Sequence, residues 1–560
     1  MHSLILATTL LFSTASGVEK AYSTFEDAHY SGSGVCADCH DGLSTSTGED
    51  ISIAKAWSNS MMGNSTVDPY WQAKVAAELD RNPALADEIN HTCSRCHAPM
   101  ANDAASKNGD PVQILGAGGF LDPASPYYQH AIEGVSCTLC HQIADDGNLG
   151  TLEGISGKWT VNTYTNLVDR PAYGQYPDPS TRAMRNNVLF TPQRGDHTVT
   201  SEMCATCHDL KTPFVDAQGQ LAAPTPESEF PEQMVYSEWK HSAFADPADT
   251  TTCQDCHMPV VDEAVTIATR GAMGRTRTDF RRHTFHGANT VMQQMLLDNG
   301  LAPNASNLAA AIEENRAFLQ QAATIRLLDA QVRDGTLLAE VVILNRTGHK
   351  LPSGYPSRRV WVEFIVTDGN GNTLFHSGAL NSDGSIAGVA VDEDNSTYEP
   401  HYQTITRADQ VQVYEPIMAN TDGEVTHTLL RAASYLKDNR LLPVGFDKST
   451  APADVAVHGT AAEDADFVGG SDRLRYEVPV GKADRYQVQV RLRYQTLSFG
   501  HIQDLLADDH LPEVATFKTY FEQASIRAET LSEDRRVARP WSAPVGSGKK
   551  SSPAITAAKY

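Results

Sequence analysis

The first half of the chain has few segments in which apolar residues recur at a regular period. From about Val18 to Gly300 the sequence is rich in Gly, Pro, Asp and Asn, the residues that favour turns. Only short stretches, such as Trp71–Leu79 and Thr290–Leu297, have apolar residues at helical spacing. The pattern predicts a loop-rich domain over residues 18–300 whose regular elements are mainly helical.

The pattern changes after residue 301. The segment SNLAAAIEENRAFLQQA at 306–322 has the amphipathic spacing of a helix, and we assign 301–324 as a connecting helix. It is followed by TIRLLDAQV, TLLAEVVILN and RRVWVEFIVTD, with turn residues at Asp334-Gly335 and at DGNGN from Asp368. Together with DRYQVQVRLRYQTL from Asp484, these strands predict an immunoglobulin-like β-sandwich over residues 325–500.

The two ends of the chain complete an expected α+β, multidomain fold. Residues 501–540 are predicted to form a helical segment, and residues 541–560 a flexible tail. Residues 1–17, MHSLILATTLLFSTASG, resemble a secretory signal peptide without a basic residue before the apolar run. A misplaced start or a buried first helix are the alternatives. No later stretch approaches the roughly 20 apolar residues of a membrane span, so we expect an exported protein that does not cross the membrane.

Charge excludes one class of partner. The chain has 44 Lys and Arg against 69 Asp and Glu, a formal charge of −25. Nucleic acids need a basic surface, so we expect no nucleic-acid partner. An acidic protein of this kind suits partners with cationic patches, although the charge also serves simple solubility.

The strongest chemical signal is a repeated pentad, Cys-x-x-Cys-His. It occurs five times, as CADCH, CSRCH, CTLCH, CATCH and CQDCH, and it uses all ten cysteines. This is the attachment sequence of a c-type haem, in which both thiols bind the porphyrin covalently and the histidine binds iron. The predicted attachment residues are Cys36, Cys39, Cys93, Cys96, Cys137, Cys140, Cys204, Cys207, Cys253 and Cys256, and the predicted proximal ligands are His40, His97, His141, His208 and His257.

Other uses of Cys-x-x-Cys pairs fit less well. Structural zinc groups such pairs two by two, and five pairs would leave one over. Thioredoxin-like chemistry needs a single pair, and a disulfide framework does not explain the histidine that follows every second cysteine. We therefore expect five covalently attached haem c groups and no catalytic side chain.

The second axial ligand of each iron decides between a carrier and a catalyst, because catalysis needs an open position. Between the predicted signal peptide and residue 300, seven histidines lie outside the pentads: His29, His91, His130, His197, His241, His283 and His286. We select His197, in a polar loop before the fourth pentad, His283, with His286 as its competitor, and His130. His91 lies too close to Cys93, and His29 and His241 are read as surface or packing residues, or His29 as a ligand to a neighbouring subunit's haem.

Several segments resemble a family of bacterial multihaem (pentahaem) c-type cytochromes with a C-terminal β domain. They include WSNSMMGNSTVDPYWQAKV, EGVSCTLCHQI, SEMCATCHDLKTP, HTFHGAN and GHKLPSGYPSRRVW, and they extend over roughly residues 30–500. The resemblance implies exported electron-transfer proteins with several low-spin haems. It also adds two distal candidates, Met62, otherwise a packing residue, and His349, otherwise a turn residue.

The leading hypothesis is electron transfer through five haems to a periplasmic or extracellular acceptor, with redox proteins as partners. One alternative is an oxidoreductase that acts on a small nitrogen or sulfur compound at one open haem, although no Cys-x-x-Cys-Lys occurs. Another is a cytochrome that assembles into oligomers or filaments. In the β region, Asp383, Asp392 and Asp394 offer hard oxygen ligands for a possible Ca²⁺.

Overall fold

The computed structural model describes residues 22–223, 225–270, 275–302 and 305–540. The segments predicted to be a signal peptide (1–17) and a tail (541–560) lie outside the described residues. The chain divides into two compact units, each built from three separate segments. The first unit comprises Met1–Cys207, Thr252–Asn315 and His510–Ala524, and the second comprises His208–Thr251, Arg316–Asp509 and Ser525–Tyr560.

Most of the helices are short. None of those in the described residues is both long and apolar enough to cross a lipid bilayer. In chain order the α-helices of the described residues are α1 (Ser33–His40), α2 (Ile53–Ser58), α3 (Pro69–Arg81), α4 (Ala86–His97), α5 (Pro99–Asn108), α6 (Tyr128–Ile132), α7 (Cys137–Cys140), α8 (Thr181–Asn187), α9 (Ser201–His208), α10 (Val235–Lys240), α11 (Cys253–His257), α12 (Thr290–Asp298), α13 (Leu308–Leu319), α14 (Ala390–Glu393), α15 (Phe499–Leu506) and α16 (Pro512–Gln523).

The long strands lie in the second half of the chain. In the described residues the strands are β1 (Pro171–Gly174), β2 (Thr191–Arg194), β3 (Asp209–Thr212), β4 (Phe230–Met234), β5 (Val265–Thr266), β6 (Thr276–Arg277), β7 (Ala323–Arg333), β8 (Thr336–Asn345), β9 (Arg359–Asp368), β10 (Thr373–Ser377), β11 (Thr404–Ile405), β12 (Val413–Tyr414), β13 (Pro416–Ala419), β14 (Ser434–Asp438), β15 (Ser471–Pro479), β16 (Tyr486–Gln495) and β17 (Glu529–Ala538).

Helix α3 is the longest helix of the first unit's N-terminal part, and its start follows ordinary capping rules. Pro69 occupies the first turn, and the Asp68 carboxylate accepts hydrogen bonds from the backbone N–H groups of Tyr70 and Trp71. The helix packs against α16 from near the end of the chain, where the rings of Tyr70 and Phe517 lie 5.3 Å apart, edge to face. The core of the first unit therefore contains residues more than 400 positions apart in sequence.

The second unit contains two larger sheets. One has the order β10-β9-β16-β17, with β12 also paired to β9, and the other has the order β11-β15-β8-β7. All neighbouring strands are antiparallel except β11 and β15. In β8 and β15 buried positions alternate with more exposed ones, as expected for strands with one face in a core.

The two sheets meet along the edge between β7 and β17. The backbone N–H of Ile325 donates to Ser532 Oγ at 3.2 Å, and that of Leu327 donates to Asp534 Oδ2 at 3.0 Å. These side chains satisfy amides that the edge of β7 would otherwise leave unpaired.

The expected fold class is wrong in three respects. The described residues are 30% helical and 22% strand, so the fold is not mainly helical. Residues 109–127 and 142–166 of the pentad region contain neither α-helix nor strand, because their many turn-forming residues interrupt any helical period.

The strands do not form a clear immunoglobulin-like sandwich. Between the end of β10 and the start of β15 the chain forms short strands, helix α14, short 3-10 helices and irregular loops, so the regular alternation that a sandwich needs is interrupted. The predicted C-terminal helical segment is also corrected, because Glu529–Ala538 is a strand that pairs with β16.

Candidate haem-binding site

Both cysteines of each pentad lie on a helix. Helices α1, α4, α9 and α11 end at the pentad histidine, and His141 directly follows α7. Residues at i, i+3 and i+4 lie on one side of a helix, so the two thiols and the imidazole of each pentad face the same way. This is the arrangement that one porphyrin with two covalent links and one iron ligand requires.

The first unit brings the cysteines of all five pentads together. Thiols from different pentads lie close enough to interact in three pairs: Cys36 with Cys137, Cys96 with Cys207, and Cys204 with Cys253. Cys140 also lies close enough to Cys207 for an electrostatic interaction. The third pentad therefore adjoins the first and fourth, and the fourth adjoins the second and fifth.

Four pentad histidines have a defined ring orientation, because Nδ1 lies within hydrogen-bond distance of a backbone carbonyl. The partners are Ile267 O for His40 at 2.7 Å, Ser65 O for His97 at 3.3 Å, Tyr173 O for His141 at 2.6 Å, and His286 O for His257 at 2.5 Å. A carbonyl can only accept, so Nδ1 carries the proton and the lone pair is at Nε2. Metal-bound histidines are commonly oriented in this way.

The cysteine and histidine side chains of the pentads, which would bind haem, remain accessible to solvent. Nine of the ten cysteines are partly buried and Cys256 is exposed, and each pentad histidine keeps part of its surface exposed. Burial lowers the pKa of His40 and His141, which keeps these imidazoles in the neutral form that binds iron. The chemistry and the accessibility of the pentad residues therefore fit covalently attached haem.

The structure places His283 beside His141. Their ring centroids are 6.2 Å apart and their planes are inclined by 24°. His283 Nδ1 lies 3.1 Å from Arg281 O, so its lone pair is also at Nε2. Desolvation, and then the neighbouring His141, lower the pKa of His283 to about 3, so this imidazole is neutral at physiological pH.

His349 lies near His208 in the second unit. His349 Nδ1 is 2.8 Å from Lys350 O, which again leaves the lone pair at Nε2. The His208 side chain is exposed to solvent, yet desolvation by the atoms around it, together with Arg358 and His349, lowers its pKa. The two imidazoles thus lie within electrostatic range of each other.

The other two predicted histidines use Nε2 for contacts within the protein. His197 Nε2 lies 2.9 Å from Ile143 O, and the ring lies edge-on to Tyr173 at 5.1 Å. His130 is buried, and its Nε2 lies 2.5 Å from Asp27 Oδ2. His130 Nδ1 is buried without a hydrogen-bond partner. In this arrangement neither Nε2 atom is available to iron unless its present contact breaks.

Met62 packs with a cluster of buried residues that includes Tyr30 and Leu139, and Cys140 of the third pentad packs against the same cluster. For His29 the sequence predicts either a surface or packing residue or a ligand to a neighbouring subunit's haem. In the structure His29 lies next to the fully buried Tyr30, and its Nδ1 is buried without a hydrogen-bond partner.

A second polar cluster, which the sequence did not indicate, lies in the second unit. His401, Asp464 and Asp472 are all buried, and their side-chain ligand atoms lie within 4.8 Å of one another. They come from positions up to 71 residues apart, so no local motif marks them. Three such side chains form a candidate metal site.

The hydrogen bonds around His401 do not favour a metal at Nε2. His401 Nδ1 accepts from Gln412 Nε2 at 2.8 Å and from Asn439 Nδ2 at 3.0 Å. The amide oxygens of these two residues accept backbone N–H groups, which fixes which end of each amide faces the ring. Nδ1 therefore carries the lone pair, and Nε2–H donates to Asp464 Oδ2 at 3.1 Å.

The calcium expectation is not supported, because its three carboxylates have separate partners. Asp392 is buried and makes two hydrogen bonds to the Arg359 guanidinium, at 2.6 and 2.7 Å. Asp383 and Asp394 are exposed, and each accepts hydrogen bonds from the serine two residues on. The three side chains do not form a ligand cluster.

No protein-family model and no curated protein sequence matches the chain. Among solved structures it is similar to the crystal structure of a penta-heme cytochrome c552 from Thermochromatium tepidum. The two chains are 17% identical, the similarity covers 91% of this chain and 100% of that chain, and the TM-score is 0.49.

Proposed function

We propose that the chain is an exported multihaem c-type cytochrome that carries electrons through five covalently attached haems to an acceptor in the periplasm or outside the cell. The two cysteines and the histidine of each pentad would hold one haem. When bound, haem supplies a one-electron iron couple. The observation that supports this most is the grouping of five pentads in adjoining positions, because a relay needs neighbouring centres.

Two distal ligands follow from proximity. His283 would share an iron with His141, and His349 would share one with His208. Both distal imidazoles have Nδ1 directed at a carbonyl and therefore present a lone pair at Nε2. Met62, His130 and His197 remain our candidates for other haems, and the two histidines would have to give up their contacts with Asp27 and Ile143.

The haem content tests the proposal directly. Protein made in a host with c-type cytochrome maturation should have the mass of the polypeptide plus five haems. The double variant Cys93→Ser/Cys96→Ser should lose one haem, whereas Ser94→Ala, on the same helix, should lose none. A wild-type polypeptide without added mass would refute the proposal.

Export and the acceptor need their own experiment. Cell fractionation of the full chain should find the haem-loaded protein outside the cytoplasm. Reduced protein should then be reoxidised by an external acceptor such as a soluble ferric chelate. Haem-loaded protein found only in the cytoplasm would contradict the proposed location.

One observation favours a catalytic alternative. His130 and His197 direct Nε2 at protein acceptors, so a haem that lacks a second protein ligand would be open to a small nitrogen or sulfur compound. Cyanide or nitrite should then bind the oxidised or reduced protein and change the spectrum of one haem. If neither ligand changes any spectrum, this alternative fails and the electron carrier stands.

A further inference from the structure

The residues around His349 include four charged side chains that are almost completely buried. Lys350 Nζ lies 2.6 Å from Asp438 Oδ2, with side chains 0% and 2% exposed. Arg440 Nη1 lies 2.8 Å from Glu238 Oε1, with side chains 7% and 0% exposed. Arg440 also binds Asp438 through Nη2 at 2.7 Å and Nε at 2.8 Å, so Arg440 links the two carboxylates.

These charges are attached to the segment that carries His349. Glu238 Oε2 accepts from the backbone N–H of Lys350 at 3.1 Å and from Ser353 Oγ at 2.5 Å. The carbonyl of Lys350 is the acceptor for His349 Nδ1 at 2.8 Å. Lys350, whose carbonyl orients the His349 ring, is therefore held at its backbone N–H by Glu238 and at its ammonium by Asp438.

Stability alone is a weak reason for this arrangement. Burying an ion pair costs desolvation free energy, and well-packed apolar side chains at such places are often as stable or more stable. Burial alone would raise the pKa of the Asp438 carboxyl, but Arg440 and Lys350 hold it below its usual range, so the carboxylate is charged. Four fixed charges instead hold the segment that carries His349 in a defined position and give it a defined local electrostatic field.

We propose that Glu238, Lys350, Asp438 and Arg440 act as one buried ionic cluster that positions His349 as an iron ligand and sets the potential of the haem that His349 binds. The inference rests on the proposed function, since it requires haem on the pentad that ends at His208. Glu238 and Lys350 are positioning residues, because they act through the backbone and the ring orientation of His349.

The charges in the cluster balance, with two cations and two anions, while Arg358 adds a cation within electrostatic range of both His208 and His349. Removing one carboxylate therefore leaves a net positive charge near the iron. A positive charge disfavours the oxidised, more positive iron, so the midpoint potential rises.

Glu238→Gln tests the inference, because glutamine keeps a hydrogen-bond acceptor for Ser353 and the Lys350 amide but removes the charge. Spectroelectrochemistry of the haem-loaded variant should show one redox transition moved to higher potential and the others unchanged, with a low-spin spectrum throughout. Glu363→Gln is the matched control, since Glu363 is also a buried carboxylate paired to two arginines but lies in the middle of β9.

Ser353→Ala provides a milder variant should Glu238→Gln fail to fold. It removes one hydrogen bond to Glu238, and it should change the low-spin EPR signal of a single haem by loosening the ring orientation. A wild-type EPR signal and potential in both variants, or an equal shift in Glu363→Gln, overturns the inference.

His349→Ala separates the inference from the proposed function. Loss of this ligand should produce one high-spin haem. If a high-spin haem appears but Glu238→Gln shifts no potential, only the role of the ionic cluster fails. If no high-spin haem appears, His349 is not a ligand and both the ligand assignment and the inference fall.

Discussion

The imidazoles of His141 and His283 lie 6.2 Å apart, centre to centre, with ring planes inclined by 24°. An imidazole nitrogen lies about 1.1 Å from its ring centre, so two rings that bind one metal at about 2 Å have centres about 6.3 Å apart. The observed separation is therefore close to the one that two imidazoles would have if both bound the same iron, and the two side chains lie 142 residues apart in sequence.

If His141 and His283 hold one haem iron as proposed, His283→Ala should convert one low-spin haem into a high-spin haem, because that iron would lose its second ligand. EPR of the oxidised protein measures the change. His241→Ala is the control, since His241 is exposed directly after helix α10 and its Nδ1 lies 2.8 Å from the Ser237 carbonyl of that helix. An unchanged spectrum in His283→Ala, or the same change in His241→Ala, would contradict the pairing.

Asp472 should make the stability of the protein depend on pH. Burial raises the pKa of its carboxyl to about 7, from 3.8 in the unfolded chain, although the Tyr414 hydroxyl bonded to it acts in the opposite direction. The folded state holds the proton more tightly, so this contribution is fully present below pH 4 and is lost as the pH rises towards 7. A shift of about three pKa units corresponds to about 4 kcal/mol.

Asp472→Asn removes this titration. The difference in unfolding free energy between variant and wild type should move in favour of the variant between pH 4.5 and pH 8, which guanidinium denaturation at each pH would measure. Asp466→Asn, in the same acidic region but only partly buried, should leave the wild-type pH profile in place. Parallel profiles for wild type and Asp472→Asn would show that Asp472 is not the titrating group.

The buried pair of Arg359 and Asp392 should be costly to break. Asp392→Ala leaves a guanidinium that is 0% exposed without its carboxylate, and we expect a loss of about 3–5 kcal/mol of unfolding free energy. The double variant Arg359→Met/Asp392→Ala should recover much of that loss. Asp394→Ala, which changes an exposed residue, should stay within about 0.5 kcal/mol of wild type.

The same variants test the calcium expectation. Were Asp383, Asp392 and Asp394 to bind Ca²⁺ together, Asp394→Ala would lower the melting temperature in calcium and not in a chelator. Equal melting temperatures under both conditions are the expected result, because Asp392 is occupied by Arg359.

Phe517 should be essential to the first unit. Its side chain is 0% exposed and lies against Tyr70, so Phe517→Ala should cost about 3–5 kcal/mol through the cavity that it leaves. Thr519→Ala, on the exposed side of the same helix, should cost less than about 0.5 kcal/mol. Similar denaturation midpoints for the two variants would refute the packing role of Phe517.

Local features were accessible to sequence reasoning. The predicted helix at 306–322 is present as Leu308–Leu319, and the turn at Asp334-Gly335 joins β7 to β8 with both residues at positive φ, as a two-residue hairpin requires. The haem-attachment residues could be named from the sequence because each pentad holds both cysteines and the histidine within five consecutive residues. The helix, the turn and the pentads are each determined by residues that are close together in sequence.

Long-range features were not accessible. The pairing of β8 with β15 joins residues more than 120 positions apart. The sequence predicts a helix where β17 lies, because the charged side chains of this edge strand hide its alternation. The contacts of His130 with Asp27, and of His401 with Asp464, likewise depend on how distant segments pack. No periodicity in the sequence records such contacts.

The assembly of the first unit from three separate segments has a consequence for biosynthesis. Helix Pro512–Gln523 covers Tyr70, so the ribosome must translate nearly the whole message before that side chain has its final neighbour. An engineered fragment that stops after the last pentad would lack this helix, so such fragments are a poor basis for studying cofactor loading.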